Sequence, residues 1–154
     1  MAKVYVSVGS NIDREHNIAS ALNTLAGEYG ALEQSTIFET EAIGFSGEQF
    51  LNLVVAFETS QSPQQVSAGL RRIEDAHGRN RGGGRFSSRS LDLDLLLYDE
   101  LIVDEPGLIL PRPEILEYAF VLRPLAELAA DSRHPVTGQS YAALWDRFDA
   151  ASQP

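Results

Sequence analysis

Strand-like alternation, apolar residues at helical spacing, and the order strand, helix, strand, strand, helix, strand together predict an α+β fold of the ferredoxin-like kind. In such a fold helices cover one face of an antiparallel sheet, leaving the other face and the loops for a ligand. The chain of 154 residues, 44% of them hydrophobic, fits one domain spanning 1–154 with a sizeable core.

Each element has its own signal. "KVYVSV" (3–8) alternates as a strand and "GSN" (9–11) turns. Ile18, Leu22, Leu25 and Tyr29 then recur at helical spacing before Gly30, a residue suited to a C-terminal stop. "ALEQSTIFET" (31–40) and "QFLNLVVAFET" (49–59) read as strands joined by the loop "EAIGFSGE" (41–48). Ser62 before Pro63 forms an N-cap signal, with Val66, Leu70, Ile73 and His77 as the face of a second helix. "GRNRGGGRFSSR" (78–89) is loop and "LDLDLLLY" (91–98) the next strand. A short strand "LIV" (101–103) and two helical segments, "FVLRPLAELA" and "SYAALWDRF", complete the chain. No internal repeat or interdomain linker is present.

Composition narrows the partners. The net charge of −10 argues against broad adhesion to nucleic acid or an anionic membrane, which needs an excess of basic groups. No apolar run approaches the roughly 20 residues that span a bilayer, and the start "MAKVYVSVGSN" has no apolar signal region. Without cysteine, neither disulfide nor thiolate chemistry is available. The expectation is a cytoplasmic protein, taken to be a monomer.

The chemistry concentrates in one stretch. Asp92 and Asp94 stand two apart in a strand, so both carboxylates share a face, their α-carbons roughly 6.5 to 7 Å apart. Two unpaired, desolvated carboxylates at that distance repel, and a divalent cation relieves the repulsion. Six arginines (Arg71, Arg72, Arg79, Arg81, Arg85 and Arg89) crowd in just before them, whereas Lys3 is the only lysine. Arginine offers phosphate a forked donor array. A phosphate ligand held between basic groups and metal ions follows. The residues alone leave blander readings open: a solvated strand face for the aspartates, a flexible linker or a single RNA-binding element for "RGGGR", and core roles for Phe50 and Phe120. Asn52 alone fits a hydrogen-bonded polar residue, and His134 beside Pro135 fits a structural role. His16 and His77 give no ligand spacing with it.

"YVSVGSN", "FLN", "RIEDAHGR", and above all "RSLDLDLLLYD" followed by "LPRPEILEYAFVLRPLAEL" resemble the 6-hydroxymethyl-7,8-dihydropterin pyrophosphokinase family of folate biosynthesis, nearly end to end. The resemblance implies a ferredoxin-like fold and transfer of diphosphate from ATP to the pterin's hydroxymethyl oxygen, releasing AMP, with two Mg2+ ions. It implies that Asp92 and Asp94 hold those ions, and that Arg79, Arg81 and Arg89 bind phosphates and serve catalysis. Glu74 falls at the start of the ATP site. Thr40, Ile43, Phe50, Asn52 and Phe120 fall on the pterin pocket. The chain has no G-x-x-x-x-G-K-[ST] element, which excludes a P-loop mechanism.

Departures cluster on the ATP side. Arg112 stands between two prolines where the family carries histidine, and Tyr118 stands where arginine is usual. Gly107 and Ile109 replace a common arginine and hydroxyl residue, and Phe86 replaces tryptophan. Arg112 is expected to restore one positive charge at the ATP site. Two functions follow: an active pyrophosphokinase in which Arg112 and the arginine loop compensate, or a divergent pterin- or nucleotide-binding paralogue with weak or altered transfer.

Overall fold

The computed structural model describes residues 1–41, 49–78 and 90–148. Strands β1 (Ala2–Ser10), β2 (Glu33–Gln34), β3 (Phe38–Thr40), β4 (Phe50–Thr59) and β5 (Asp92–Tyr98) form an antiparallel sheet. Its order is β2-β4-β1-β5, with β3 also on β4. Helix α1 (Arg14–Tyr29) follows β1 and α2 (Pro63–Ala76) follows β4, so each spans the split crossover that the predicted fold requires.

Local chemistry sets the helix boundaries. Ser62 and Gln65 form a reciprocal capping box at the start of α2: Oγ of Ser62 accepts from Gln65 N at 3.1 Å, and Oε1 of Gln65 accepts from Ser62 N at 2.8 Å. Gly30 ends α1 at φ 85°, a conformation that costs glycine little. His77 ends α2 instead of extending its face. Its Nδ1 lies 2.7 Å from the Ile73 carbonyl, which can only accept, so Nδ1 carries the proton and Nε2 accepts from Ser20 Oγ at 2.8 Å. The ring thereby ties α2 to α1.

The segment 31–40 is two short strands, not one. Val54 donates its N–H to the Ser35 hydroxyl at 2.9 Å while Ser35 N donates to the Val54 carbonyl. A side chain therefore replaces a backbone acceptor and interrupts the ladder. The expected strand at 101–103 is displaced to β6 (Val103–Glu105), which among the described residues pairs with β7 (Leu108–Leu110). Gly107, at φ 82°, makes the turn between them.

Alternation divides the sheet into two faces. Val4, Val6 and Val8 of β1, Leu53, Val55 and Phe57 of β4, and Leu93 and Leu95 of β5 pack under Ile18, Leu25, Val66, Leu70 and Ile73 of α1 and α2. Burying each such apolar side chain contributes about 1.5–3 kcal/mol. The opposite face is not left free as expected. Helices α4 (Ala119–Leu128) and α5 (Tyr141–Arg147) cover much of it, burying Val54 and Leu96 against Val121, Leu122, Leu125 and Tyr141. Short α3 (Glu114–Glu117) leads into α4. These C-terminal segments are apolar enough to need a second core, and the sheet supplies it.

Candidate functional site

The second face carries the polar residues beyond that core. Gly9 of β1 pairs with Asn52 on one side and Asp92 on the other; Ser7, one step inward on the same face, pairs with Val54 and Asp94. At strand spacing, Asn52 and Asp92 stand roughly 10 Å apart across Gly9. Phe50 lies two residues from Asn52 and pairs with Thr40. Thr40, Phe50, Asn52, Asp92 and Asp94 thus share one face, while Leu93 and Leu95 turn into the other core and anchor the strand that carries the carboxylates.

Asn52 is buried and donates from Nδ2 to Thr40 Oγ1 at 2.6 Å. Phe120, in the first turn of α4, stacks on Tyr118 with centroids 5.2 Å apart and planes at 28°. One face of its ring is therefore taken, braced by Tyr118. Helix α4 runs alongside β3: Arg123 lies over the Phe38 ring at 4.4 Å, and Glu127 accepts from Thr36 N and Oγ1 at 2.7 and 2.9 Å.

Gly9 and Ser10 of "GSN", expected in a turn, continue β1 to its end and contribute a support that sequence reasoning missed. Buried Ser10 donates from Oγ to the Ser90 carbonyl at 2.5 Å, holding the chain just ahead of Asp92. A Cβ placed on Gly9 would lie 2.8 Å from Asn52 Oδ1, so this floor position accepts only glycine without moving Asn52. The quoted motif was the available signal for both.

Glu74, expected at the start of the ATP site, makes a structural contact with β5. It is buried, and its Oε2 accepts the N–H of Leu93 at 2.8 Å. Among the described residues β5 ends the sheet, and there this carboxylate satisfies a strand N–H that meets no further strand. Glu74 holds β5 and adds negative charge near Asp94.

Arg112, expected at the ATP site, reaches the carboxylate pair. Its Nη2 lies 3.3 Å from Asp94 Oδ1, and its Nε donates to Glu114 Oε2 at 2.9 Å. Its backbone N–H donates to the Leu96 carbonyl at 3.0 Å. Leu96 is the extra residue of β5 between the pairs Val6–Leu95 and Tyr5–Leu97, and such a bulge redirects ladder groups. Burial first, then the Asp92 charge, raises the Asp94 carboxyl to about 7 against the pull of Arg112; Glu74 and Glu114 push the same way.

Among the described residues, no three His, Cys, Asp or Glu side chains converge as a metal site. Two carboxylates nevertheless fit Mg2+, which takes hard oxygen donors and is commonly held by one or two carboxylates with phosphates and water. Ile43, Arg79, Arg81, Phe86 and Arg89 lie outside the described residues. His134 is structural: it is buried, and its Nδ1 accepts from Val136 N and Thr137 N at 3.1 and 3.2 Å.

Comparison with known proteins bears on this geometry. The family described as 7,8-dihydro-6-hydroxymethylpterin-pyrophosphokinase (HPPK) matches residues 5–130. The chain is 37% identical over 129 residues to the 2-amino-4-hydroxy-6-hydroxymethyldihydropteridine pyrophosphokinase of Bacillus subtilis, covering 80% of this chain and 76% of that protein. It is 38% identical over 135 residues to the Porphyromonas gingivalis protein of the same name, covering 84% and 92%. The folic acid synthesis protein fol1 of Pneumocystis carinii is 34% identical over 148 residues; the match takes in 94% of this chain but only 20% of that longer protein. The crystal structure of Plasmodium falciparum HPPK-DHPS superposes with a TM-score of 0.71 at 12% identity, over 96% of this chain and 43% of that one, a likeness of fold.

Proposed function

Because the chain belongs to the 7,8-dihydro-6-hydroxymethylpterin-pyrophosphokinase family, it is a pyrophosphokinase of folate synthesis, and we propose how its own residues carry out the transfer. The observation that carries the proposal is the row Asn52–Gly9–Asp92, with Asp94 one step inward on the same face. A group able to read a heterocycle's edge and a pair able to hold metal stand side by side, at a separation suited to a pterin meeting a triphosphate.

In this proposal Asn52, oriented by Thr40, donates to and accepts from the pyrimidine edge of the pterin, while Phe50, Phe120 and Ile43 enclose its rings. Asp92 and Asp94 would hold Mg2+, two ions in this proposal, whose charge would offset that building up on the triphosphate. Arg79, Arg81 and Arg89 bind phosphate oxygens through charge-assisted hydrogen bonds. The pterin's hydroxymethyl oxygen bonds to the β-phosphorus and gives up its proton to solvent, the bond from that phosphorus to the bridging oxygen of the α-phosphate breaks, and AMP leaves with that oxygen. Glu74 and Ser10 keep β5 in place during the exchange.

The matches give no support to a divergent pterin- or nucleotide-binding paralogue with weak or altered transfer, since relatives aligned over most of their length are named as pyrophosphokinases. No helix among the described residues is long and apolar enough to cross a membrane. We also propose a cytoplasmic, monomeric enzyme of a single domain, the single domain supported by one sheet carrying both cores.

The test is AMP formation from ATP, Mg2+ and 6-hydroxymethyl-7,8-dihydropterin by the wild-type protein, with Asp92→Asn and Asp94→Asn as controls. Transfer by the wild type and its loss in both folded variants is the expected result. Full transfer by both variants at limiting Mg2+ overturns the metal assignment.

A further inference from the structure

Arg112 contacts the carboxylate pair through one arm only. Its Nη2 is 3.3 Å from Asp94 Oδ1, whereas its Nε bond to Glu114 is shorter, at 2.9 Å, and joins residues two apart in the chain. The main chain beneath it is pinned to Leu96, two residues beyond Asp94 on β5. The guanidinium therefore has an anchor that does not depend on Asp94, and about a third of its side chain is exposed, which leaves room to turn. A metal ion at Asp94 and a guanidinium on the same oxygen repel each other, so the two compete for that carboxylate.

We propose that Arg112 is a tethered counter-cation: it occupies Asp94 in the metal-free protein and withdraws onto Glu114 when metal and nucleotide load, thereby setting the metal concentration at which the site fills. This deepens the assignment of Asp92 and Asp94 as magnesium ligands and rests on it. Arg112 is then a positioning residue, acting through Asp94. Its competition keeps divalent cations off the carboxylates until a triphosphate arrives with further oxygen ligands and negative charge. Glu114 is the partner that makes withdrawal cheap.

Mn2+ binding to the full chain, followed by the EPR signal of the free ion with and without a non-hydrolysable ATP analogue, tests this. Without nucleotide, Arg112→Gln should bind Mn2+ at least about fivefold more tightly than wild type, the lower end of a typical coupling between competing events. Arg112→Lys, which retains the charge, should restore weak binding. Glu114→Gln should shift affinity the other way, because Arg112 is then left to Asp94. Melting curves confirm that each variant is folded. Unchanged or weaker Mn2+ binding by Arg112→Gln without nucleotide, or the same direction of change in Arg112→Gln and Glu114→Gln, overturns the inference while leaving the magnesium assignment intact. Failure of the wild type to bind Mn2+ even with the ATP analogue overturns both, a result separable from the first.

Discussion

Gly9 faces Asn52 so closely that a Cβ on the glycine would stand 2.8 Å from the asparagine's Oδ1. Contacts that short force a shift, and the atom in the way is the end of a side chain, not backbone. Gly9→Ala should therefore fold but turn the Asn52 amide away from Thr40, breaking the 2.6 Å bond that orients it. Pterin affinity should fall by about tenfold or more, equivalent to about 1.4 kcal/mol, with little change in affinity for a magnesium-bound ATP analogue. Titration of each ligand separately checks this; equal losses for both would point to a general disturbance of the sheet.

Glu74 gives a second contrast. Removing its carboxylate strands the N–H of Leu93 at the buried edge of β5, at a cost of about 1–3 kcal/mol. Glu74→Ala should lower thermal stability accordingly. Glu74→Gln keeps an acceptor oxygen and should recover most of that stability and nearly all transfer activity. A Gln variant that folds normally yet loses ATP affinity would return Glu74 to the nucleotide.

How far these roles were legible depended on the range of each interaction. The alternation in "KVYVSV" and "LDLDLLLY" and the Ser62–Pro63 cap are local, and the strands and helix start where those signals place them within a residue or two. The break at Ser35 was hidden because it depends on one hydroxyl meeting Val54 across the sheet. The second layer of helices was hidden too: the apolar faces of "FVLRPLAELA" and "SYAALWDRF" were visible, but not which side of the sheet would bury them. At the site, the carboxylate pair and its shared face followed from strand geometry alone. The Arg112–Asp94 contact did not, because it requires the bulge at Leu96 to bring a residue 18 positions downstream back against the strand.

His134 ties the C-terminal loop to acid sensitivity. Its Nδ1 accepts two backbone N–H groups, so the ring must stay neutral, and burial lowers its pKa from the ordinary value. An unfolded histidine takes up its proton near pH 6.5. The folded one resists until lower pH. The stability His134 contributes is thus present above about pH 6.5 and is lost as pH falls through that value toward the folded pKa. Melting curves of wild type and His134→Asn between pH 5 and 8 should show the wild type's advantage shrinking on the acid side. An advantage that is constant over the range would assign His134 no titrating role.

Asp94 predicts the opposite slope. Burial and the adjoining Asp92 charge raise its carboxyl to about 7, outweighing Arg112, whereas an unfolded aspartate titrates near 3.9. Between those values the folded state binds the proton more tightly than the unfolded one, so the metal-free protein's stability from this group is full below about pH 4 and declines as pH rises toward about 7. Above that the contribution is flat. Asp94→Asn, which cannot ionise, should remove the decline, and the difference in melting temperature between variant and wild type in EDTA should grow from pH 4 to 7 and then level off. Mg2+ with an ATP analogue should reverse the wild type's loss at pH 8, because the metal requires the ionised carboxylate, and should release protons on binding near pH 6. Calorimetry in two buffers of different ionisation enthalpy detects that release. Its absence at pH 6, or parallel stability curves for wild type and Asp94→Asn, would show that Asp94 ionises in the ordinary carboxylate range with Arg112 as its full partner.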